Sequence, residues 1–284
     1  MSEFFDYPRA LLNRENRAEY SQIPPSHLGF LPGCQTTNLS SKLAQKLDDF
    51  AQAAAANRNC KITVNLDRDG TRQVFTGRRY WQTSIFPSRK CGKSIVCEGQ
   101  NELLFAAQCE VDIGVKEYAS QAILFETRVG SKWTKYHCDF CRLRADGAIE
   151  IIEVKPDASH LDRPGYREKL EAVGEVCAEL GWMFSPVFGV DLQRRTFHNF
   201  HVNWAHRHRF YLIPDWLSLA VDRLADACGG HSTVQDLKAI CSGLEQARAL
   251  LCALICRGNV HLDLSQPISL NAPMALIGGY NHGL

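Results

Sequence analysis

The chain has 284 residues, 45% hydrophobic and 22% charged, a make-up that fits one or two globular domains and excludes a disordered or fibrous chain. Its 32 Lys and Arg face 31 Asp and Glu, a net charge of +1, which argues against non-selective coating of nucleic acid and leaves only a local patch for any polyanion. No apolar run reaches the roughly 20 residues of a membrane span, the start Met1-Ser2-Glu3-Phe4-Phe5-Asp6 lacks signal-peptide character, and the 12 scattered cysteines read as reduced thiols of a cytoplasmic protein.

In chain order, residues 1–37 carry Pro24-Pro25 and Pro32-Gly33 with few periodic apolar positions, and read as an N-terminal arm. Leu43, Leu47, Phe50 and Ala54 have helical spacing, with Asn38 or Ser40 as cap. Ile62, Val64 and Leu66 alternate, Asp69-Gly70 turns the chain and Val74 begins a return, which predicts a hairpin. Ser94 to Cys109 is expected to be one helix. Val115 to Tyr118, Ala122 to Phe125, Tyr136 to Leu143 and Ala148 to Val154 are predicted strands, followed by a helix over Tyr166 to Leu180 and a strand over Trp182 to Val187. That succession predicts a mixed α/β layer domain over residues 38–190.

Residues 191–204 read as a basic, aromatic connector. His and Arg alternate with Phe197, Phe200 and Trp204 from Arg194 to Arg209, which suits either DNA phosphates or a packed linker. In residues 205–284, Asp215 to Ala227, Thr233 to Cys241 and Glu245 to Cys256 are predicted helices. A short strand Val260 to Leu264 and an apolar stretch Pro267 to Leu270 follow, giving a winged-helix-like C-terminal module. Its basic residues Arg223, Lys238, Arg248 and Arg257 are spread thinly, so the module is expected to dock protein partners more than DNA.

The sharpest chemistry is Asp139, a turn, and then Glu153-Val154-Lys155. Strand parity puts Glu153 and Lys155 on one side and Glu150 on the other. A three-residue loop Ala145-Asp146-Gly147 pairs Arg144 with Ala148 and so sets Asp139 opposite Glu153. A two-residue loop would pair Asp139 with Val154 and destroy the site. Two adjacent carboxylates repel unless a cation lies between them, and oxygen donors favour Mg²⁺ or Mn²⁺. The bland reading is a surface hairpin with a cross-strand Glu/Lys pair. Like-charge repulsion also predicts that Asp139→Ala leaves folding nearly intact.

Asp139 with Glu153-Val154-Lys155 resembles the Asp…Glu-x-Lys signature of PD-(D/E)XK nucleases. Glu102, with Val115 thirteen residues on, then Tyr118 and Gln121, is similar to the helix-then-strand block of TnsA endonucleases. The resemblance covers about residues 94 to 190 and, weakly, the C-terminal module. It implies a restriction-endonuclease-like fold, a catalytic set of Glu102, Asp139, Glu153 and Lys155, and a Mg²⁺ ion (Mn²⁺ substituting) on Glu102, Asp139 and Glu153. It further implies a nuclease subunit of a heteromeric cut-and-paste transposase that nicks the 5′ ends of transposon DNA. Its partners would be an integrase-like transposase and an AAA+ ATPase regulator, with no membrane. Cys138 stands where that family usually has proline, and Glu98, one turn before Glu102, competes with it. A stand-alone restriction- or repair-type nuclease and an inactive DNA-binding assembly factor are the alternatives.

Two further features have weaker spacing. Cys138 and Cys141 are a C-x-x-C pair, but strand parity sends them to opposite faces. Cys252 and Cys256 share a helical face near Cys241 and His261, a conceivable zinc set without a zinc-finger spacing. Arg78-Arg79 and Arg89-Lys90 are short basic pairs of either meaning, and no Gly-rich phosphate loop is present.

Overall fold

The structure, a computed structural model, describes residues 4–8, 11, 43–47, 60–66, 71 and 82–277. Among these residues the strands run in chain order: β1 (Cys60–Val64), β2 (Thr83–Ser88), β3 (Lys93–Glu98), β4 (Val115–Ser120), β5 (Ile123–Val129), β6 (Lys132–His137), β7 (Phe140–Arg144), β8 (Ile149–Lys155), β9 (Met183–Phe188), β10 (His231–Thr233), β11 (Val260–His261) and β12 (Pro273–Leu276). The helices are α1 (Gln100–Val111), α2 (Tyr166–Glu179), the single turn α3 (Gly189–Leu192), α4 (Phe197–His208), α5 (Asp215–Ala227), α6 (Val234–Ala239) and α7 (Leu244–Cys256). This is a mixed α/β protein of two compact units. One comprises residues 38–109 and 114–193, the other 194–284 with 1–37 and 110–113.

The first unit is organised by a long hairpin that bends. Its tip is Gly130, at φ +60, where β5 turns into β6. Near the tip β5 pairs with β6 in a sheet ordered β1-β5-β6; farther back β4 pairs with β7 in a sheet ordered β4-β7-β8-β9. Both arms break where they change sheet, one at Gln121 (φ +49) and the other at Cys138-Asp139. Two backbone bonds tie the breaks together, Gln121 N–H to Asp139 O at 2.9 Å and Cys138 N–H to Ile123 O at 3.0 Å. A non-glycine residue at positive φ is uncommon; here the hydrogen bonds of the bend hold it.

After β8 the chain crosses over through α2 and returns as β9, parallel to β8, the connection a parallel pair requires. Leu170, Val173 and Cys177 of α2 and Trp182 pack on Cys141, Leu143, Ile149 and Ile151, with Leu43 and Leu47 in the same core. The other sheet face receives α1, whose Phe105 ring meets Phe140 edge-on at 5.0 Å. Ile151 and Ile152 point to opposite faces and both are fully buried. A strand covered on both sides reads as a continuous apolar run, which is why Ile149 to Val154 lacks clean alternation.

Several expectations change. The helix expected from Ser94 is strand β3 as far as Glu98, paired with β2; Ile95, Val96 and Cys97 are all buried in it. Gly99, at φ +101, ends the strand and lets α1 start at Gln100. β1 pairs with β5, while its expected return through Asp69-Gly70 and Val74 lies outside the described residues. So do Arg78-Arg79, Phe50, Ala54 and the caps Asn38 and Ser40; residues 43–47 are helical as expected.

In the second unit, the expected 191–204 connector is helical from Phe197 on, as part of α4, which buries Phe197, His201, Val202 and Ala205. Thr196 caps it by accepting the Asn199 N–H at 2.7 Å. The strand expected over Val260 to Leu264 is only Val260–His261, and its partner β12 begins at Pro273, beyond the apolar stretch Pro267 to Leu270, and lies between β10 and β11. Thr233 and Asp236 form a reciprocal capping box on α6.

Residues 4–8 are docked, not a loose arm. Phe4 N–H bonds Ile268 O at 2.9 Å, and the Arg248 guanidinium donates to Phe4 O at 2.6 Å. Tyr7 takes the Ile268 N–H at 2.7 Å and donates to His201 Nε2 at 2.8 Å, while His201 Nδ1–H donates to Leu264 O at 2.8 Å. The carbonyl can only accept, so the proton sits on Nδ1. Burial pushes the His201 pKa down to about 4, so the ring is neutral in this chain of bonds.

Candidate active site

The loop after β7 decides which side chains meet. Arg144 N–H bonds Ala148 O at 2.9 Å, and Gly147, at φ +89, donates its N–H to Arg144 O at 3.0 Å. The loop therefore has three residues. The ladder runs Leu143↔Ile149, Arg142↔Glu150, Cys141↔Ile151 and Phe140↔Ile152, and one step beyond its end Asp139 lies opposite Glu153. Because Asp139 stands at the break between β6 and β7, its side chain can turn onto the neighbouring strand. Its Oδ2 accepts the Val154 N–H at 2.8 Å.

Lys155 joins the two acids. Its Nζ lies 3.6 Å from Asp139 Oδ2 and ion-pairs with Glu153 Oε1. Glu153 is almost fully buried, its side chain 2% exposed against 16% for Asp139 and 22% for Lys155. A buried carboxylate is costly unless its oxygens are filled. Tyr136 OH donates to Oε2 at 2.5 Å and Tyr166 OH donates to Oε1. Burial would pull the Lys155 pKa down, but Asp139 and Glu153 outweigh it and raise it above the ordinary lysine value. Burial, and then the Glu153 charge, push both tyrosines above their ordinary range, so both stay protonated donors.

Glu102 does not join this group. It sits in the first turn of α1, and its Oε2 accepts the Glu98 N–H at 2.7 Å. Its helix packs on the face that carries Phe140 and Ile152, whereas the register turns Glu153 to the other face. Glu98, its competitor, ends β3 and supplies the bonded N–H. Glu150 faces away from Lys155 and pairs with Arg142 at 2.7 Å and Arg144 at 3.7 Å. Asp139, Glu153 and Lys155 thus come together, and Glu102 stands apart. Among the described residues no group of three His, Cys, Asp or Glu side chains is placed to hold a metal ion. That statement also covers Cys241, Cys252, Cys256 and His261. Asp139 and Glu153 do match a hard cation in donor type, and Mg²⁺ commonly takes only one or two carboxylates and keeps its waters.

Tyr136 and Tyr166 were not legible as site residues. Tyr136 lies in a different sheet from Glu153, and Tyr166 is eleven positions beyond Lys155 at the start of the crossover helix. Only a tyrosine at each of two element ends hinted at them. The basic stretch from Arg194 mostly serves its own unit. Phe197 and His201 are buried, and burial lowers the pKa of His198, His206 and His208 as well. Its arginines, not its histidines, carry the charge near neutral pH. Lys90 Nζ donates to Cys109 O at 2.8 Å, a structural use of that basic pair.

No family model matches the chain, and no curated protein matches it. Among solved structures, the crystal structure of protein VC1899 from Vibrio cholerae is similar over 55% of this chain and 49% of its own, at 12% identity and a TM-score of 0.20. This chain thus spans about half the length of that protein, and a likeness at that score carries no argument.

Proposed function

We propose that the chain is a Mg²⁺-dependent DNA endonuclease of the PD-(D/E)XK kind, acting as the TnsA-like subunit that nicks the 5′ ends of a transposon. The observation that carries this reading is the meeting of Asp139 and Glu153 on Lys155 at a strand break. A mixed sheet with α1 on one face and α2 on the other supports a restriction-endonuclease-like arrangement. The order α5-β10-α6-α7-β11-β12, with β12 central in its sheet, supports a winged-helix reading of the second unit. No helix among the described residues is long and apolar enough to cross a membrane. The transposase and ATPase partners, and the choice of transposon ends, rest on the sequence resemblance.

A divalent ion held by Asp139 and Glu153 would polarise the scissile phosphate and supply hydroxide at neutral pH. The chain's own groups prepare that chemistry. Tyr136 and Tyr166 fix the Glu153 carboxylate in one orientation, and the Val154 N–H fixes Asp139. Lys155, held protonated, balances the two negative charges and fixes the two acids against each other. The placement of Glu102 on the opposite face favours one competing reading, a nuclease fold that binds DNA without cutting it.

Nicking of supercoiled plasmid DNA by the purified chain, alone and with a transposase partner, separates these readings. Cleavage should require Mg²⁺ or Mn²⁺, stop with EDTA and be abolished in Asp139→Ala. That variant should also lose about 1–3 kcal/mol of stability, because the Val154 N–H and Lys155 are left without their partner. The repulsion argument for intact folding does not hold, since Lys155 already offsets the charges. Nicking that survives in Asp139→Ala would put the metal site elsewhere; a wild-type chain inert under every condition would leave the inactive reading.

A further inference from the structure

The Lys155 ammonium is committed to Asp139 and Glu153, so a DNA phosphate brought to these acids needs another cation. Lys169 is in position. It lies one turn after Tyr166 on α2, with Nζ 4.8 Å from the Tyr166 ring centroid and 5.9 Å from that of Tyr136. Those are the two rings whose hydroxyls hold Glu153. Lys169 is half-buried and makes no ion pair or hydrogen bond among the described residues. Its neighbour Arg167, by contrast, is paired with Asp162. An aromatic face attracts an ammonium through its quadrupole but fills none of its three N–H donors. The rings therefore hold the charge beside the acids and leave its donors open.

We propose that Lys169 is the phosphate-receiving cation of this site, binding a backbone phosphate of the strand laid across Asp139 and Glu153. The inference rests on the nuclease reading above and names how its substrate is gripped. The sequence hid it because a lysine in a helix headed Tyr166-Arg167-Glu168-Lys169 reads as solvated surface.

The test uses the full chain and a fluorescein-labelled DNA duplex. Binding is followed over a salt series with Ca²⁺ in place of Mg²⁺, and plasmid nicking is measured in parallel with Mg²⁺. Lys169→Gln should weaken binding about five-fold, the size of one partly exposed charge contact. It should also flatten the slope of log Kd against log salt by about one. Lys169→Arg should stay within about two-fold of wild type because the charge is kept. Lys169→Met keeps the aliphatic stem over the two rings and should match Lys169→Gln, which separates the charge from packing. Wild-type affinity and slope in both neutral variants, alongside normal nicking, would overturn this assignment and leave the nuclease reading standing. A wild-type chain that neither binds nor nicks DNA would remove both.

Discussion

Glu117 is the residue whose setting most departs from ordinary chemistry. It is fully buried on β4, and among the described residues no side chain hydrogen-bonds either carboxylate oxygen. Burial pushes its pKa up from 4.5 to about 7, against smaller opposing effects of Lys93 and the Leu43 backbone. A carboxyl raised in this way binds its proton more tightly folded than unfolded. Its contribution to stability is complete below about pH 4.5 and is lost as pH rises to about 7. The loss amounts to roughly 3 kcal/mol. Glu117→Gln should remove this slope, making the variant more stable than wild type at pH 8 and nearly equal to it at pH 4.5. Urea midpoints across that range check it; parallel curves for the two proteins would mean that Glu117 keeps its charge when folded. Glu153 is equally buried, yet two hydroxyls and an ammonium fill its oxygens.

The β7–β8 hairpin is the element on which the site depends, because its loop length fixes the face to which Asp139 turns. A strand slipped by one residue sends every side chain to the other side. Gly147 makes the three-residue loop possible by taking φ +89, a conformation that costs other residues about 1–2 kcal/mol. A Cβ added there would lie 3.1 Å from Lys46 Nζ, the far end of a flexible side chain that donates to Gly147 O at 2.6 Å and would have to shift. Gly147→Ala should therefore lose roughly 1–2 kcal/mol in urea denaturation, and the nicking proposed above should persist in it, since the register is unchanged. Loss of nicking at normal stability would mean that the loop itself touches DNA. The break at Cys138-Asp139 matters as much as the turn. Were β6 and β7 one continuous strand, the Asp139 side chain would stand off the sheet and not reach the Val154 N–H.

At the scale of the molecule, the second unit is completed by the beginning of the chain. α7 is buried from Ala247 through Cys256. Its Arg248 serves Phe4 and Asp6. A helix enclosed in this way has no free face to lay into a DNA groove. Phe4, Phe5 and Tyr7 are all buried, at about 1.5–3 kcal/mol for a large side chain removed from water. Deleting residues 1–8 should destabilise the second unit by several kcal/mol. Hydrogen exchange should quicken at Val202 and Leu250 while Ile151 and Ile152 stay protected. Unchanged protection at Val202 and Leu250 would show that the docked segment adds nothing to that unit.

Local patterning determined the α/β class, the helices α2, α5, α6 and α7 and the three-residue turn, because apolar period and turn chemistry depend on neighbours a few positions apart; it missed α4, which reads as a connector. It also determined that Asp139, Glu153 and Lys155 share one side, since strand parity needs only a count from that turn. Tertiary structure decided what distance along the chain hides. Val96 and Cys97 became strand because β2 was there to pair with them. Phe4, Phe5 and Tyr7 became core because α4 offered the rings of Phe197, Phe200 and Trp204 and α7 offered Arg248. The strand break brought Tyr136 onto Glu153, and the packing of α1 against Phe140 left Glu102 on the other face. A carboxylate's partners are chosen by packing, and packing is not periodic in sequence.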